Sequence, residues 1–400
     1  MGVRGRAMGS AMVSAANDWS AVHYNPAALV RVVHPVAGGE YEFFYGVTRS
    51  TESLRNLGVG QGDPRRLDLT DPFGDEPRTL NEKSVDGTVQ SGTMGYAGVW
   101  GDVAFGVGLY GAGAGSSWKD TVSTSSGDRM NAEIAFRNVA VILPLAAAYR
   151  VTDEFAVGVG VGVRYGLLDV KNSKTRSGAL PYTMSYEQDT AGTALSADLG
   201  LLWRANPRLG IGAVAKLPYR IGKSGEARLD QSLAGLQTRT DTAIDEDYPA
   251  RLSFGFDLRP GLKHLIALSA TWLDWSSYRQ TVDYEIEIPG MLQDTSGNPS
   301  DWQDTWIANM GYEYALSEIW DLRCGVLYDQ APEPREAKTL AGGQVVDIWK
   351  FSAGAGWQWR HAQLNFGYSY THGPATEGYV PGAEYTIDYH ELYVGLDWAL

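Results

Sequence analysis

Six basic residues carry most of the chemistry this sequence could do. Arg164, Arg204, Lys216, Arg251, Arg323 and Lys350 each stand in a stretch where bulky apolar residues alternate with small or polar ones, on the small-residue side. A cation in that setting can hold a carboxylate through charge-assisted hydrogen bonds. The plainer use is neutralisation by acids on the same faces: Asp198, Asp257, Glu313, Asp321 and Asp397. For any one cation, that pairing is the expected arrangement. Lys216 and Arg164, mid-stretch among apolar neighbours, are the leading binding candidates, with Ile142, Arg251 and Lys350 beside them. Catalysis is not expected: G-x-S-x-G is absent, and His390 has no nucleophile motif near it. The histidines are scattered and Cys324 is the single cysteine, so neither a metal site, a cofactor nor a disulfide framework is expected.

The elements that position these cations alternate with a period of two, the mark of strands with unlike faces. In 155–168, Val157, Val159, Val161, Val163 and Tyr165 oppose Gly158, Gly160, Gly162, Arg164 and Gly166. In 250–259, Leu252, Phe254, Phe256 and Leu258 oppose Arg251, Ser253, Gly255 and Asp257. In 348–359, Trp349, Phe351 and Trp357 oppose Lys350, Ser352 and Gln358. About fourteen such runs can be counted, among them 133–151, 191–205, 209–220 and 264–286. Short turns alternate with long polar loops near 50–90, 112–132, 171–190, 221–248, 287–303, 331–345 and 373–383.

Bulk composition narrows the class. The 400 residues include 48 Gly, 22 Tyr and 13 Trp, and the net charge of −14 disfavours nucleic acid as a partner. No run approaches the ~18 apolar residues of a membrane helix; 139–149 is short and holds Pro144. Met1 is followed by GVRGRAMGSA without an apolar stretch, so any leader is expected to have been removed. Long loops at one end, tight turns at the other and an even strand count predict a closed antiparallel transmembrane β-barrel. Trp100, Trp203, Trp320, Trp359 and Trp398 fall beside tight turns or the C-terminus, and Trp272, Trp306 and Trp349 at the opposite ends. Two such rows match the aromatic girdles of a membrane barrel. A soluble sandwich would hide its bulky face and charge the other; here the small-residue face carries the charges.

Residues 1–38 precede the first alternating run and are too apolar for a free tail. A fourteen-stranded barrel is too wide for its own side chains to fill, so a folded-in segment is expected there. The stretch GRAMGSAMVSAANDWSAVHYNPAAL, with Asp18, Ser20, Ala21, Tyr24 and the triplet Asn25, Pro26 and Ala27, resembles the N-terminal hatch of FadL-type (TodX/OmpP1-like) outer-membrane transporters of hydrophobic compounds. ATWLDWSSY (270–278) and YPARLSFGFDLRP (248–260) fit the same family, whereas the C-terminal Leu400 departs from a terminal Phe. The resemblance implies an all-β, 14-stranded barrel over 39–400 and a hatch or plug over 1–38. It further implies passive movement of a hydrophobic molecule from an external groove to a lumen site, then sideways into lipid through a gap made by strand three.

The residues themselves offer a place for that gap. Gly108, Gly111, Gly113 and Gly115 make the most glycine-dense strand end in the chain, and glycine softens a strand. In the next strand Pro144 lacks a ladder donor. Counted from the turns, Gly111 and Pro144 are expected at similar heights. The inward Ala140, Ile142, Ala146 and Ala148 favour a greasy ligand such as a fatty acid or hydrocarbon over a sugar or ion. The expected setting is outer-membrane lipid and lipopolysaccharide, with a monomeric barrel. The acidic LDLTDPFGDEP (67–77) could hold divalent ions or bridge lipopolysaccharide, with a solvated loop as the plainer reading. A second reading is a FadL-like barrel that does not transport and serves as a structural partner in a secretion or surface complex.

Overall fold

The computed structural model describes residues 1–50, 83–123, 129–178, 181–298, 301–334, 346–377 and 384–400. The acidic stretch 67–77 lies outside them. The strands are Val36–Ser50 (β1), Lys83–Trp100 (β2), Val103–Ser123 (β3), Arg129–Arg150 (β4), Phe155–Ser177 (β5) and Tyr182–Asn206 (β6). Next come Leu209–Lys216 (β7), Tyr219–Gln231 (β8), Leu236–Tyr248 (β9), Arg251–Gly261 (β10), His264–Leu273 (β11) and Arg279–Tyr284 (β12). Thr295–Gly297 (β13), Thr305–Ala315 (β14), Trp320–Asp329 (β15), Ile348–Trp359 (β16), Ala362–Glu377 (β17) and Glu384–Ala399 (β18) complete the set. β1 to β7, β10, β11 and β14 to β18 form a ring of fourteen antiparallel strands, and β18 closes it by pairing with β1. No helix among the described residues is long and apolar enough to cross a membrane; closure of the ring pairs the strand backbones instead.

Three expectations are corrected. Segment 221–248 is not a loop: it forms most of the hairpin β8–β9, continuing β7 and β10 outward and pairing with β6 and β12. Its inward Ala227, Leu229 and Ile244 pack with Tyr186, Val282 and Leu292 in a second core, so a partner sheet orders residues that look like loop in isolation. Segment 264–286 is not one strand, because a 3-10 turn, Trp275–Ser277, separates β11 from β12. Segments 112–132 and 171–190 are largely strand, since β3 to β6 run well beyond their expected outer ends.

The side-chain distribution is inside-out. Val159, Leu145 and Phe254 are 54%, 58% and 57% exposed on the outer face, while Gly158, Gly160 and Gly162 are buried. Trp100, Trp203, Trp359 and Trp398 are exposed at the turn end, and Trp306 and Trp349 at the other. The main core lies against the inner wall. Met8, Met12, Trp19, Ala27 and Leu29 of the N-terminal segment are fully buried there with Ala97, Ala104 and Ala148.

Candidate functional site

The N-terminal segment forms the floor of the site. It contains two short helices, Val3–Ala7 (α1) and Ala21–Tyr24 (α2), and a 3-10 turn, Pro26–Arg31. Asn25 organises the middle. Its Nδ2 donates to the carbonyls of Val13 at 2.8 Å and Leu201 at 3.0 Å, and its Oδ1 accepts from the Ala27 backbone N–H at 3.0 Å. Pro26 follows at the start of the 3-10 turn, where its fixed φ fits and its missing N–H does no harm. The wall makes room with glycine. A Cβ on Gly158 would come within 2.3 Å of the Ala27 backbone nitrogen, and one on Gly200 within 2.3 Å of the Asn25 side-chain oxygen.

Buried polar groups fasten the segment around the ring. Arg4 donates twice to Glu313, at 2.7 and 2.9 Å. Arg6 reaches Glu40 at 3.1 Å and Glu42 at 2.9 Å. Trp19 Nε1 donates to Asp397 at 2.6 Å, and Arg31 lies 3.2 Å from Asp257. Such charges are tolerable only in pairs, because each alone would be costly in a low-dielectric interior.

Beyond this floor lies a cavity of about 260 Å³. It brings together Arg164, Lys216, Arg251, Ile142 and Pro144 with Val22, His23, Tyr110, Tyr219, Tyr248 and Trp275. Lys216 is largely spent: its Nζ lies 2.9 Å from Asp198 and donates to the His23 carbonyl at 3.1 Å. Arg164 and Arg251 differ. Among the described residues neither makes an ion pair; Arg164 lies over the Tyr219 ring at 4.4 Å with its Nε buried and unpartnered, and Asp329 acts on Arg251 from further off. Burial, with Lys216 and Arg251 nearby, holds the His23 ring well below its ordinary pKa. Two guanidiniums without an ion-pair partner, beside tyrosines and aliphatic side chains, suit an amphiphile with an acidic head. Among the described residues no group of three or more His, Cys, Asp or Glu is placed to hold a metal.

The remaining candidates fall elsewhere. Lys350 lies 2.8 Å from Glu391 and does not line the cavity. Arg323 is paired with Glu313 and Asp321, and Arg204 lies 3.8 Å from Asp257. Gly111 is not level with Pro144; it pairs with Val141. The β3–β4 register runs from Val107–Leu145 to Tyr110–Ile142, which sets Gly108 opposite Pro144 in the unpaired interval. Counting from turns ignores the stagger of neighbouring strands, hence the displacement. Gly113 and Gly115 pair with Val139 and Arg137, farther out. There, among the described residues, β3 is paired on one side only, since its ladder with β2 ends at Thr93–Tyr110. Sequence reasoning missed His23, Tyr110, Tyr219, Tyr248 and Trp275. The signal for the last three was the aromatic residues beside Pro218, Pro249 and the 3-10 turn.

Comparison with known proteins agrees with this architecture. A family described as outer membrane protein transport protein (OMPP1/FadL/TodX) matches residues 1–380. No curated protein matches the chain. Among solved structures, a FadL homologue of Pseudomonas aeruginosa superposes with a TM-score of 0.77 at 17% identity, covering 100% of this chain and 98% of that one. The Pseudomonas putida toluene transporter TodX gives 0.74 at 15% identity, with 100% and 98% covered. The Ralstonia pickettii toluene transporter TbuX gives 0.68 at 17%, again with 100% and 98% covered. At such identities the superpositions establish the fold, and the match over residues 1–380 establishes the kinship. The chain belongs to the OMPP1/FadL/TodX family of outer-membrane proteins that transport hydrophobic compounds.

Proposed function

We propose that this barrel takes up hydrophobic compounds with an acidic head, long-chain fatty acids being the type case, passively and as a monomer in outer-membrane lipid and lipopolysaccharide. The N-terminal segment acts as a hatch that closes the lumen below the cavity. The head group is held by Arg164 and Arg251, while Ile142, Val22 and Tyr110 meet the tail. The compound then leaves sideways where the wall is unpaired at Gly108–Leu109 and Leu143–Pro144, a gap that Ile142 and Pro144 join to the cavity.

The observation that carries this reading is the pair of guanidiniums in one cavity that, among the described residues, make no ion pair. A charged hydrogen bond contributes about 1.5 kcal/mol or more, roughly tenfold in affinity. Arg164→Gln and Arg251→Gln are therefore each expected to weaken dodecanoate binding to the purified barrel by about tenfold, with little effect on dodecanol. Equal losses for acid and alcohol would overturn the assignment of the head-group site.

A further inference from the structure

The cavity meets a second break in its wall, marked by prolines. β7 ends at Lys216 and β8 begins at Tyr219; β9 ends at Tyr248 and β10 begins at Arg251. Lys216 pairs with Arg251 and Tyr219 with Tyr248, which sets Pro218 opposite Pro249. Neither can donate to a ladder. The other edge is interrupted too. β6 pairs with β7 as far as Asp198–Lys216, the Leu217 N–H still donates to the Ala197 carbonyl at 2.9 Å, and pairing resumes with β8 at Thr193–Gly222. Among the described residues, no ladder pair joins Ala194, Leu195 or Ser196 to the stretch between. Six steps from Lys216 to Gly222 face five from Asp198 to Thr193, so β7–β8 bulges by one residue. A bulge of this kind inverts the inside–outside alternation. Val214 is buried before it, Ile221 and Lys223 after it.

Leu217 sits at the inversion. It follows the inward Lys216, is 41% exposed, and yet lines the cavity together with Pro249, Ala250 and Trp275. On one side of the break the outer face is apolar, with Leu252 and Phe254 exposed. On the other it is polar, with Arg220 against Asp245 and Arg239 against Glu226. The break therefore lies at the outer edge of the apolar band. The Pro144 gap lies within the band, between the exposed Leu143 and Leu145.

We propose that the Leu217–Pro218 break is a side door through which an amphiphile lying in the outer leaflet passes between the membrane surface and the cavity. Its tail lies level with the apolar band and its acidic head level with Lys216 and Arg251, the residues on either side of the opening. The inference rests on the transport reading above and adds a lateral way in to the lateral way out.

The test uses proteoliposomes of the whole chain carrying Cys324→Ser and Leu217→Cys, with dodecanoate uptake as readout. A charged methanethiosulfonate added outside is expected to slow uptake about threefold or more, and dithiothreitol to restore it. The same reagent on Phe254→Cys, which is on the outer face of β10 away from the break, leaves uptake unchanged. Leu217→Trp, which fills the gap without a reagent, slows uptake likewise. Full-rate uptake by both the modified cysteine variant and Leu217→Trp overturns the side door. Unmodified protein no faster than protein-free vesicles overturns the transport reading instead, and the side door with it.

Discussion

A half-buried histidine held neutral records the electrostatic character of the cavity. His23 faces Lys216 and Arg251, and burial among cations opposes its protonation in the folded chain. An unfolded histidine binds its proton near pH 6.5, the folded one only well below that. Between the two values the unfolded state holds more protons, so stability falls as the pH falls. Each pH unit inside that window costs up to about 1.4 kcal/mol. His23→Gln is expected to remove this component. The thermal midpoint in detergent, compared at pH 7 and pH 5, should drop less for the variant than for the parent; equal drops would show that His23 does not titrate as described. Lys216 was a leading candidate because of its apolar neighbours, but sequence parity could not show that Asp198 stands 2.9 Å away. Arg251 was legible as inward-facing, whereas its freedom from an ion pair emerges only from the packing.

At the scale of elements, the proposed openings follow from where ladder pairing is withheld. Pro144 cannot donate to β3, and the β3–β4 pairing lapses at that point. Pro144→Val supplies the missing N–H, adding about 1 kcal/mol of stability and sealing the gap. Dodecanoate uptake is expected to slow while thermal stability rises. Higher stability with unchanged uptake would exclude this gap as the exit. Alternation made all fourteen wall strands legible, because lipid outside and a small-residue lining inside impose opposite demands on successive residues. Register was less legible. Gly108, not Gly111, opposes Pro144, since stagger between strands leaves no trace in one sequence. The β8–β9 hairpin was hidden for a different reason. Its outer face is polar, with Arg220, Glu226 and Arg239 all exposed, and it is held as sheet by pairing with β6 and β12 and by contact with Tyr186, Val282 and Leu292.

For the molecule as a whole, the barrel and the segment inside it depend on each other unequally. The ring closes through strand pairs alone, β18 to β1 included, so its backbone needs nothing from residues 1–32. The segment does need the wall. Its arginines are neutralised by Glu40, Glu42, Asp257 and Glu313 of the strands, and its alanines and methionines are buried against the strands. Removing the segment leaves those carboxylates facing a lumen that water can enter, and hydration then replaces the lost partners. Deletion of residues 1–32 is accordingly expected to yield a barrel that still shows a heat-modifiable band on a denaturing gel, while liposome swelling reports a large rise in passage of small sugars. Loss of the folded band would mean that the Asn25 hydrogen bonds and the Trp19–Asp397 contact hold the wall together, which would make the segment core rather than closure. Dodecanoate uptake separates the two routes out of the cavity. If the lateral exit carries the flux, the deletion adds a path for sugars without quickening the fatty acid.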